Sequence, residues 1–538
     1  MLSLTGQAVA LAALGTGCTT SSNGKKPGTY GRVTGDLVGD LVGEHILAEG
    51  GNAIDAVVAA AMVACVTSPH RSGIGGYGGT LTLALAGGKK ITSIDFNSVA
   101  PAAAREDMYR MDNSGAVVDK ANMHGWLAVG VPGTMAGFQL AIDRYGTKSF
   151  RELVQPAIRF ARDGYTVPGE QATTIRGAAP RLKKDPGSAG IYLPNGEPWK
   201  ANAVARNPDL AAMLSALAEK NSAEAFYRGD IGRRIAEAIQ KGGGLVTAAD
   251  MANYQAREVE ALKLKWNEFD IFTAPLTSGG LTMLEGLSFL RALAWDRIAA
   301  SPLATHARLE AMRVAWKDRL ELLGDPKHAR VPIERLLSMD YARAAAEKIQ
   351  AAVRAQKPVE QQIKTNPADG TTHISAVDGA GNMVAITFTH GGSFGAQVTV
   401  DGLGLTLGHG MSRFNPLSGH PNSPGPRKRP LHNMCPTVVL REGKPVMAVG
   451  GRGGVKIPNT VFEVLTQYVV LGRSMEEAIA APRLQTMGAL DMTLEQFWPA
   501  ADREYLQQIG FQVKAAAGAH ADAVSFNPKT GECRAADR

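Results

Sequence analysis

The sequence is poor in cysteine, in long apolar runs and in net charge. Four cysteines among 538 residues are too few and too scattered for a disulfide framework or a zinc site. No run reaches the roughly 18 apolar residues of a membrane span, since the stretch from Ala53 to Val66 is shorter and contains Asp55. The net charge of +7 comes from 57 basic and 50 acidic residues. Without an aromatic and basic RNA-binding motif, this small imbalance does not indicate a nucleic-acid partner.

The remaining composition is that of a globular protein. Hydrophobic residues make up 45% of the chain and charged residues 20%, both ordinary fractions. Because 538 residues exceed what one simple core accommodates, we expect one large domain or two interleaved parts. No internal repeat is visible.

The N-terminus resembles an export signal. An apolar stretch from Ala8 to Leu14 precedes Cys18 and a polar run, which predicts a leader and linker over residues 1–30 with cleavage before Cys18. This favours a periplasmic or cell-surface protein, with a lipid anchor at Cys18 as one form. Two departures support a plain disordered tail or a mis-assigned start instead. The leader has no early positive charge, and Gly15 stands where a lipobox usually has an aliphatic residue.

One predicted hairpin brings two threonines together. Two runs rich in β-branched residues, 371–377 and 383–389, flank a turn of Gly, Asp and Asn. If the turn is centred on Ala380, Thr371 lies opposite Thr389, with Cβ atoms roughly 5 Å apart. Two hydroxyls then meet at the open end of the hairpin.

A threonine hydroxyl becomes a useful nucleophile when a base takes its proton, and the amine of an N-terminal threonine is one such base. Freeing that amine requires cleavage between Gly370 and Thr371. The preceding segment 354–370 is polar and contains two prolines, which predicts an exposed and mobile connector that permits the cleavage. On composition alone, the alternative is an ordinary hairpin whose threonines are β formers.

The residues from Thr371 to Thr389, TTHISAVDGAGNMVAITFT, and the following GGSFGA resemble the start of the small subunit of the gamma-glutamyltranspeptidase family. The family pattern there is TTH, VD, GN, TxT and FG. The resemblance runs from about His45 to the C-terminus, in matching order. It implies that self-cleavage after Gly370 exposes Thr371 as the nucleophile, and that Thr389 hydrogen-bonds it.

The resemblance also implies the architecture. We expect an α/β fold, the four-layer α-β-β-α sandwich of N-terminal-nucleophile hydrolases. Residues 31–370 would form the large-subunit segment and residues 371–538 the small-subunit segment, intertwined in one fold.

A second predicted element of the site is a glycine turn. Residues 436–471 have the pattern of strand, strand, glycine turn and helix, with the helix expected over about 459–471. Small residues at a strand-to-helix turn allow two backbone N–H groups to point at a tetrahedral oxyanion. In the family the pair matching Gly453 and Gly454 forms the oxyanion hole, and the alternative is a plain tight turn.

Other segments predict local structure. Helices are expected over 36–48 and 52–66, with Asn52 as N-cap. The formal GxGxxG within residues 72–85 is not interpreted as a dinucleotide site, because a helix precedes it and a strand follows. The charged run Arg427-Lys428-Arg429 is expected to be solvated surface.

Family positions that recognise the γ-glutamyl group differ here. The carboxylate-binding Arg corresponds to Asn97, and the ammonium-binding acid corresponds to Arg413. The Ser-Ser pair has become His432 and Asn433, and an Asn after the second hairpin threonine has become Gly391.

These changes alter charge. Replacing Arg by Asn removes a bidentate cationic fork, and replacing an acid by Arg413 turns attraction for an ammonium into repulsion. At about 4 Å and an effective dielectric constant near 20, each such contribution is roughly 4 kcal/mol before compensation. The catalytic machinery is thus predicted to remain while the acyl pocket is rebuilt. Arg413 and His432 would then receive an acyl group that bears a carboxylate or carbonyl but no ammonium, unless another residue restores γ-glutamyl recognition.

The resulting hypothesis is a self-cleaving amidohydrolase or acyltransferase for γ-glutamyl-type amides, with transfer to water or an amine. Its partners are a small-molecule amide and its own cleaved fragments, with neither metal nor organic cofactor. One alternative is a cephalosporin-acylase-like amidase for an acyl group lacking the α-ammonium. A serine hydrolase using the GxSxG at 391–395 is disfavoured, because strand and turns follow rather than helix. A third class is an inactive binding protein, whose mark would be an unprocessed chain.

Overall fold

The computed structural model describes residues 30–295, 302–361, 363 and 370–538. Its strands are β1 (Gly31–Thr34), β2 (Gly78–Leu85), β3 (Lys90–Asp95), β4 (Tyr165–Thr166), β5 (Val204–Ala205), β6 (Arg257–Val259), β7 (Leu262–Trp266), β8 (Phe269–Thr273), β9 (Thr372–Asp378), β10 (Met383–Thr389), β11 (Thr399–Val400), β12 (Leu405–Thr406), β13 (Thr437–Arg441), β14 (Lys444–Arg452), β15 (Leu484–Thr486), β16 (Asp491–Leu494), β17 (Gln512–Ala515), β18 (His520–Phe526) and β19 (Cys533–Asp537).

The α-helices of the described residues are α1 (Leu37–Ala48), α2 (Ala53–Thr67), α3 (Thr134–Tyr145), α4 (Phe150–Asp163), α5 (Gly169–Leu182), α6 (Pro186–Tyr192), α7 (Pro208–Glu219), α8 (Glu224–Arg228), α9 (Asp230–Lys241), α10 (Ala248–Asn253), α11 (Gly280–Ala292), α12 (Pro302–Leu322), α13 (Ile333–Leu336), α14 (Met339–Ala355), α15 (Ile457–Leu465), α16 (Met475–Ala480) and α17 (Ala500–Gln508). A π-helical turn, Thr466–Val470, follows α15.

Two six-stranded antiparallel sheets form the centre of the molecule. The first has the order β1-β9-β10-β2-β3-β6 and the second β19-β18-β14-β13-β8-β7. The sheets face each other through β9, β10 and β14, while α1, α2 and α3 cover the first sheet and α11, α15 and α16 cover the second. The predicted four-layer α-β-β-α sandwich is therefore confirmed.

Three apolar layers hold the sandwich together. Helix α2 is buried all round and belongs to the layer between the first sheet and its helices, as expected for a helix that is apolar on every face. A thin layer between the sheets is made of small and β-branched side chains, among them Ala84, Val377, Val438 and Ala448. The third layer joins the second sheet to its helices. Small residues in the middle layer allow the sheets to approach closely.

The predicted hairpin is correct in position and register. Strands β9 and β10 pair from Met383 opposite Val377 to Phe388 opposite Thr372. The next pair in this register is Thr371 with Thr389, as expected. Because β1 pairs with β9 and β2 with β10, the hairpin lies inside the sheet rather than at its edge.

Several local predictions are also confirmed. Asp36 caps α1, and Asn52 caps α2 through a capping box with Asp55. The glycine segment before β2 follows a helix and enters a strand, so a dinucleotide turn is not formed. Turns and β11 follow Ser393 where a nucleophile elbow requires a helix.

One surface prediction is wrong. Arg427 is exposed, but Lys428 and Arg429 are buried, because distant backbone carbonyls and Asp95 surround the Arg429 guanidinium. The predicted leader with Cys18, and residues 364–369 of the predicted connector, lie outside the described residues. Among the helices that are described, none combines the length and apolarity needed to cross a membrane.

Candidate active site

The start of β9 and the end of β14 lie at one edge of the sandwich. A Cβ added to Gly450 of β14 would lie 2.1 Å from the ring of His373 in β9, so the two strands touch here. At the opposite edge the hairpin turn at Gly381 lies against Phe526, the last residue of β18. Thr371, which precedes β9, and Gly453, which follows β14, therefore lie at the same edge.

Both threonine hydroxyls converge on one carbonyl oxygen. The Thr389 hydroxyl donates to the Gly370 carbonyl oxygen at 2.7 Å, and the Thr371 hydroxyl donates to the same oxygen at 2.5 Å. The N–H of Gly391 donates to Thr389 Oγ1 at 2.7 Å. A hydrogen bond from Thr389 to Thr371 was expected. In the uncleaved chain, the two hydroxyls instead meet at the peptide bond predicted to be cut.

The backbone N–H groups of the glycine pair, Gly453 and Gly454, are free to donate hydrogen bonds. Gly453 adopts φ +130° and Gly454 φ +60°, between β14 and a short 3-10 turn that leads into α15. Among the described residues, neither Gly453 N–H nor Gly454 N–H has a hydrogen-bond acceptor. Two unpaired N–H groups at this edge fit the predicted oxyanion site.

His373, two residues from Thr371, is a structural histidine. Its Nδ1 lies 2.8 Å from Thr387 Oγ1 and its Nε2 lies 2.9 Å from Ser375 Oγ. Burial, with a contribution from Arg452, lowers the pKa of His373 to about 3. With both ring nitrogens paired, this side chain has no free lone pair to act as a base.

Arg413 is linked to Thr389 by two hydrogen bonds of the Gly391 backbone. Its guanidinium donates to the Gly391 carbonyl oxygen and lies over the ring of Tyr77 at 6.0 Å. Gly391 has φ +106°, and an added Cβ would lie 2.1 Å from the ring of His409. His409 thus occupies the space into which the family's asparagine side chain would extend. Both ring nitrogens of His409 are buried without a partner among the described residues.

Asn97, His432 and Asn433 form a second group. The Asn97 amide donates to Thr277 Oγ1 and to the Pro430 carbonyl oxygen, each at 2.7 Å, while its own Oδ1 is buried and has no described partner. The His432 N–H donates to the Thr277 carbonyl oxygen at 3.0 Å. Burial lowers the pKa of His432 to about 3, so this side chain is neutral at physiological pH. It therefore supplies no permanent positive charge.

The acid beside Asn97 is already paired. Asp95 accepts from the Asn97 N–H at 2.9 Å and lies 2.7 Å from Arg257 and 3.8 Å from Arg429. Burial alone would raise the pKa of Asp95, but Arg429 and Arg257 outweigh it and lower the pKa. A carboxylate held by two guanidinium groups is poorly placed to bind a substrate ammonium.

Sequence reasoning missed three arginines. Arg319 donates to the His432 carbonyl oxygen at 2.8 Å and to Asn433 Oδ1 at 3.0 Å, which directs the Asn433 NH2 group away from Arg319. Arg429 donates to the Asn97 carbonyl oxygen. Arg452, immediately before the glycine pair, donates to the Gly35 carbonyl oxygen at 2.5 Å. Of the three, only Arg452 could have been assigned to the site from the sequence, because it directly precedes Gly453. The partners of Arg319 and Arg429 are distant in sequence.

The fold and the threonine-bearing edge define the class: an N-terminal-nucleophile hydrolase sandwich. The gamma-glutamyltranspeptidase family model matches residues 40–538, and the chain belongs to that family. It is an enzyme of that class, as predicted.

Two relatives and one solved structure illustrate the match. The glutathione hydrolase proenzyme of Pseudomonas sp. (strain A14) is 35% identical over 469 residues, covering 84% of this chain and 80% of the relative. The Acylase ACY 1 proenzyme of Pseudomonas sp. (strain SE83) is 33% identical over 521 residues, covering 94% and 91%. The cephalosporin acylase from Bacillus halodurans superposes with a TM-score of 0.82 over 97% of this chain and 98% of its own, at 24% identity, which shows the shared fold.

Proposed function

We propose that the chain cleaves its own Gly370–Thr371 bond and then uses Thr371 to cleave amides of the γ-glutamyl type, transferring the acyl group to water or an amine. The observation that carries this proposal is the convergence of the Thr371 and Thr389 hydroxyls on the Gly370 carbonyl oxygen. The proenzyme names of the relatives support self-cleavage into two fragments.

That geometry supports the following route for self-cleavage. Thr371 Oγ1 attacks the Gly370 carbonyl carbon, the C–N bond breaks, and the hydroxyl proton ends on the freed nitrogen. The Thr389 hydroxyl stabilises the carbonyl oxygen while it carries negative charge. Water then hydrolyses the resulting ester, which releases the Gly370 carboxylate and restores the Thr371 hydroxyl beside the amine freed in the first step.

Turnover reuses the same atoms. The free amine of Thr371 takes the hydroxyl proton as Oγ1 attacks the substrate amide. The N–H groups of Gly453 and Gly454 stabilise the oxyanion. The proton passes to the leaving nitrogen, the C–N bond breaks, and the ester that remains is resolved by water or an acceptor amine.

A second candidate differs in the acyl group. Arg413 stands where the family has the acid that binds the ammonium, and Asp95 is paired with two arginines. An acyl group with a terminal carboxylate and no ammonium suits this charge distribution better. A relative that covers 94% of this chain is named an acylase, which also supports this candidate. For location, the leader pattern supports export, and lipidation of Cys18 stays a prediction.

Four p-nitroanilides separate the candidates. The γ-glutamyl anilide carries both charges, the glutaryl anilide only the carboxylate, the 4-aminobutyryl anilide only the ammonium, and the butyryl anilide neither. The first candidate predicts the highest kcat/KM for γ-glutamyl, and the second predicts it for glutaryl. Thr371→Ala should abolish turnover of all four, and activity equal to wild type in that variant would refute both.

A further inference from the structure

A groove lies beside the glycine pair. Its volume is about 480 Å³, and it opens between the chain segments that follow β16 and β17. Its lining residues are Arg483, Glu495, Gln496, Phe497, Ala515, Ala516, Ala517, Gly518, Ala519, His520 and Arg538. The proposed mechanism uses none of these side chains.

The inner end of this groove touches the glycine turn formed by Gly453 and Gly454. A Cβ added to Gly453 would lie 2.7 Å from the Ala519 Cβ, and His520 pairs with Arg452 across β18 and β14. The Lys456 ammonium donates to the Ala517 carbonyl oxygen at 3.2 Å. The groove therefore begins at the turn that carries the proposed oxyanion donors Gly453 and Gly454.

The groove and the residues of the acyl pocket follow strands of different sheets. Arg413 and Gly391 follow the end of β10 in the first sheet, whereas Ala519 and Arg452 flank the ends of strands in the second sheet. One amide can thus place its acyl half toward Arg413 and its amine half in the groove.

The groove wall is apolar and carries an exposed aromatic ring. Phe497 is 83% exposed, the most exposed of the large apolar side chains described. Ala515, Ala516 and Ala517 also line the groove. Leaving a phenylalanine ring in water forgoes the gain from its burial, and a flat ring bound here would recover part of that gain by stacking.

The charge of the groove is positive. Glu495 is its carboxylate among the described lining residues, and it is paired with Arg483 at 3.3 Å and with Arg538. Lys456 adds a cation at the inner end, where its ammonium donates to the neutral Ala517 carbonyl oxygen. Glu495 offsets one arginine and the Lys456 ammonium has a neutral acceptor, which favours an anionic substituent on the bound ring.

We propose that this groove binds the amine half of the substrate, and that this half is an aromatic amine carrying a carboxylate. The inference rests on the proposed amide cleavage at Thr371. The groove holds the leaving group during acylation and the acceptor amine during transfer.

The test compares three amides of one acyl group, glutaryl or γ-glutamyl, whichever the wild type cleaves faster: the 3-carboxyanilide, the 3-carbamoylanilide and the primary amide. Phe497→Ala should lower kcat/KM for the 3-carboxyanilide about tenfold, the upper range of an aromatic contact, and leave the primary amide within about twofold. Intrinsic leaving-group reactivity cancels in each ratio of variant to wild type. Leu490→Ala is the control, since Leu490 is 41% exposed near the same small sheet but does not line the groove.

The charge is tested with Lys456→Gln, which keeps a donor for the Ala517 carbonyl. We expect it to reduce the preference for carboxyanilide over carbamoylanilide by about threefold, in the range of one screened charge pair. Equal losses on all three amides in Phe497→Ala, no loss on any, or a wild-type preference for the carbamoylanilide would overturn the inference.

Binding of 3-aminobenzoate to Thr371→Ala, measured by NMR titration, reports on the groove without catalysis. Adding Phe497→Ala to that chain should weaken binding about tenfold, as for the aromatic contact above. If wild type cleaves no amide but this binding and its loss are observed, the proposed reaction fails while the groove assignment stands. If binding is absent or insensitive to Phe497, the groove assignment fails.

Discussion

Replacing Thr389 by valine tests the geometry at the bond to be cut. Valine keeps the shape of threonine but has no hydroxyl, so Thr389→Val removes the donor that lies 2.7 Å from the Gly370 carbonyl oxygen. It also removes the acceptor of the Gly391 N–H. Thr389 is fully buried, and in the described structure no other side chain donates to the Gly370 oxygen except that of Thr371, the proposed nucleophile.

Thr389→Val should change both the rate of self-cleavage and the free energy of unfolding. Loss of one donor to a developing oxyanion slows such reactions by about 10²–10³, and we expect self-cleavage to slow by that factor. The unpaired Gly391 N–H should cost roughly 1–3 kcal/mol of unfolding free energy. Thr389→Ser keeps the hydroxyl and should cleave at close to the wild-type rate.

The assay is a time course of fragment appearance after cell-free synthesis is stopped, with intact mass to locate the cut. A thermal melt of Thr389→Val, with a midpoint above the assay temperature, verifies that the chain is folded during the assay. Cleavage of folded Thr389→Val at the wild-type rate would refute the assignment of this hydroxyl to the carbonyl oxygen.

Three further predictions concern the pocket and the second sheet. Gly391→Asn should destabilise the protein by roughly 1–3 kcal/mol for the positive φ and a similar amount for overlap with His409, and an unchanged melting temperature would contradict this. Arg413→Leu should lower the ratio of kcat/KM for the glutaryl anilide to that for the 4-aminobutyryl anilide about tenfold, since the attraction between a guanidinium and a carboxylate at close range exceeds about 1 kcal/mol. An unchanged ratio would show that Arg413 does not contact the acyl group. Burial raises the pKa of Asp522 to about 7, partly offset by Arg452, whereas an unfolded aspartate ionises near pH 4. The stability contributed by the protonated form is present below about pH 4 and is lost as pH rises through 7. The melting temperature of Asp522→Asn relative to wild type should therefore rise from pH 5 to pH 8. A constant difference between the two melting temperatures would contradict the raised pKa.

The sequence alone predicted the parts of the site that depend on neighbouring residues. The β9–β10 register followed from alternating β formers and a five-residue turn, and the Asn52 cap followed from its spacing to Asp55. The glycine turn at Gly453 followed from the end of a strand pattern and the start of a helical one. Each of these signals lies within about 20 residues of sequence, where periodicity and capping rules operate.

The remaining parts depend on distant residues. Arg429 lies in a Pro/Gly loop of basic residues, which predicts surface, yet carbonyls of Asn97 and Gln255 and the carboxylate of Asp95 hold it. The bond expected between Thr389 and Thr371 depends on whether the chain is cut, which no pattern encodes. The predicted helix over 459–471 begins earlier, at Ile457, and changes to a π-helical turn after Leu465.

The most direct measurement is N-terminal sequencing and intact mass of the purified wild-type chain beside Thr371→Ala. The proposed mechanism predicts two wild-type fragments, one of which begins at Thr371, and a single uncut chain for Thr371→Ala. A folded wild-type chain that stays in one piece would contradict Thr371 as the nucleophile and leave a binding role as the better explanation, and a cut at another bond would also contradict the assignment of Thr371.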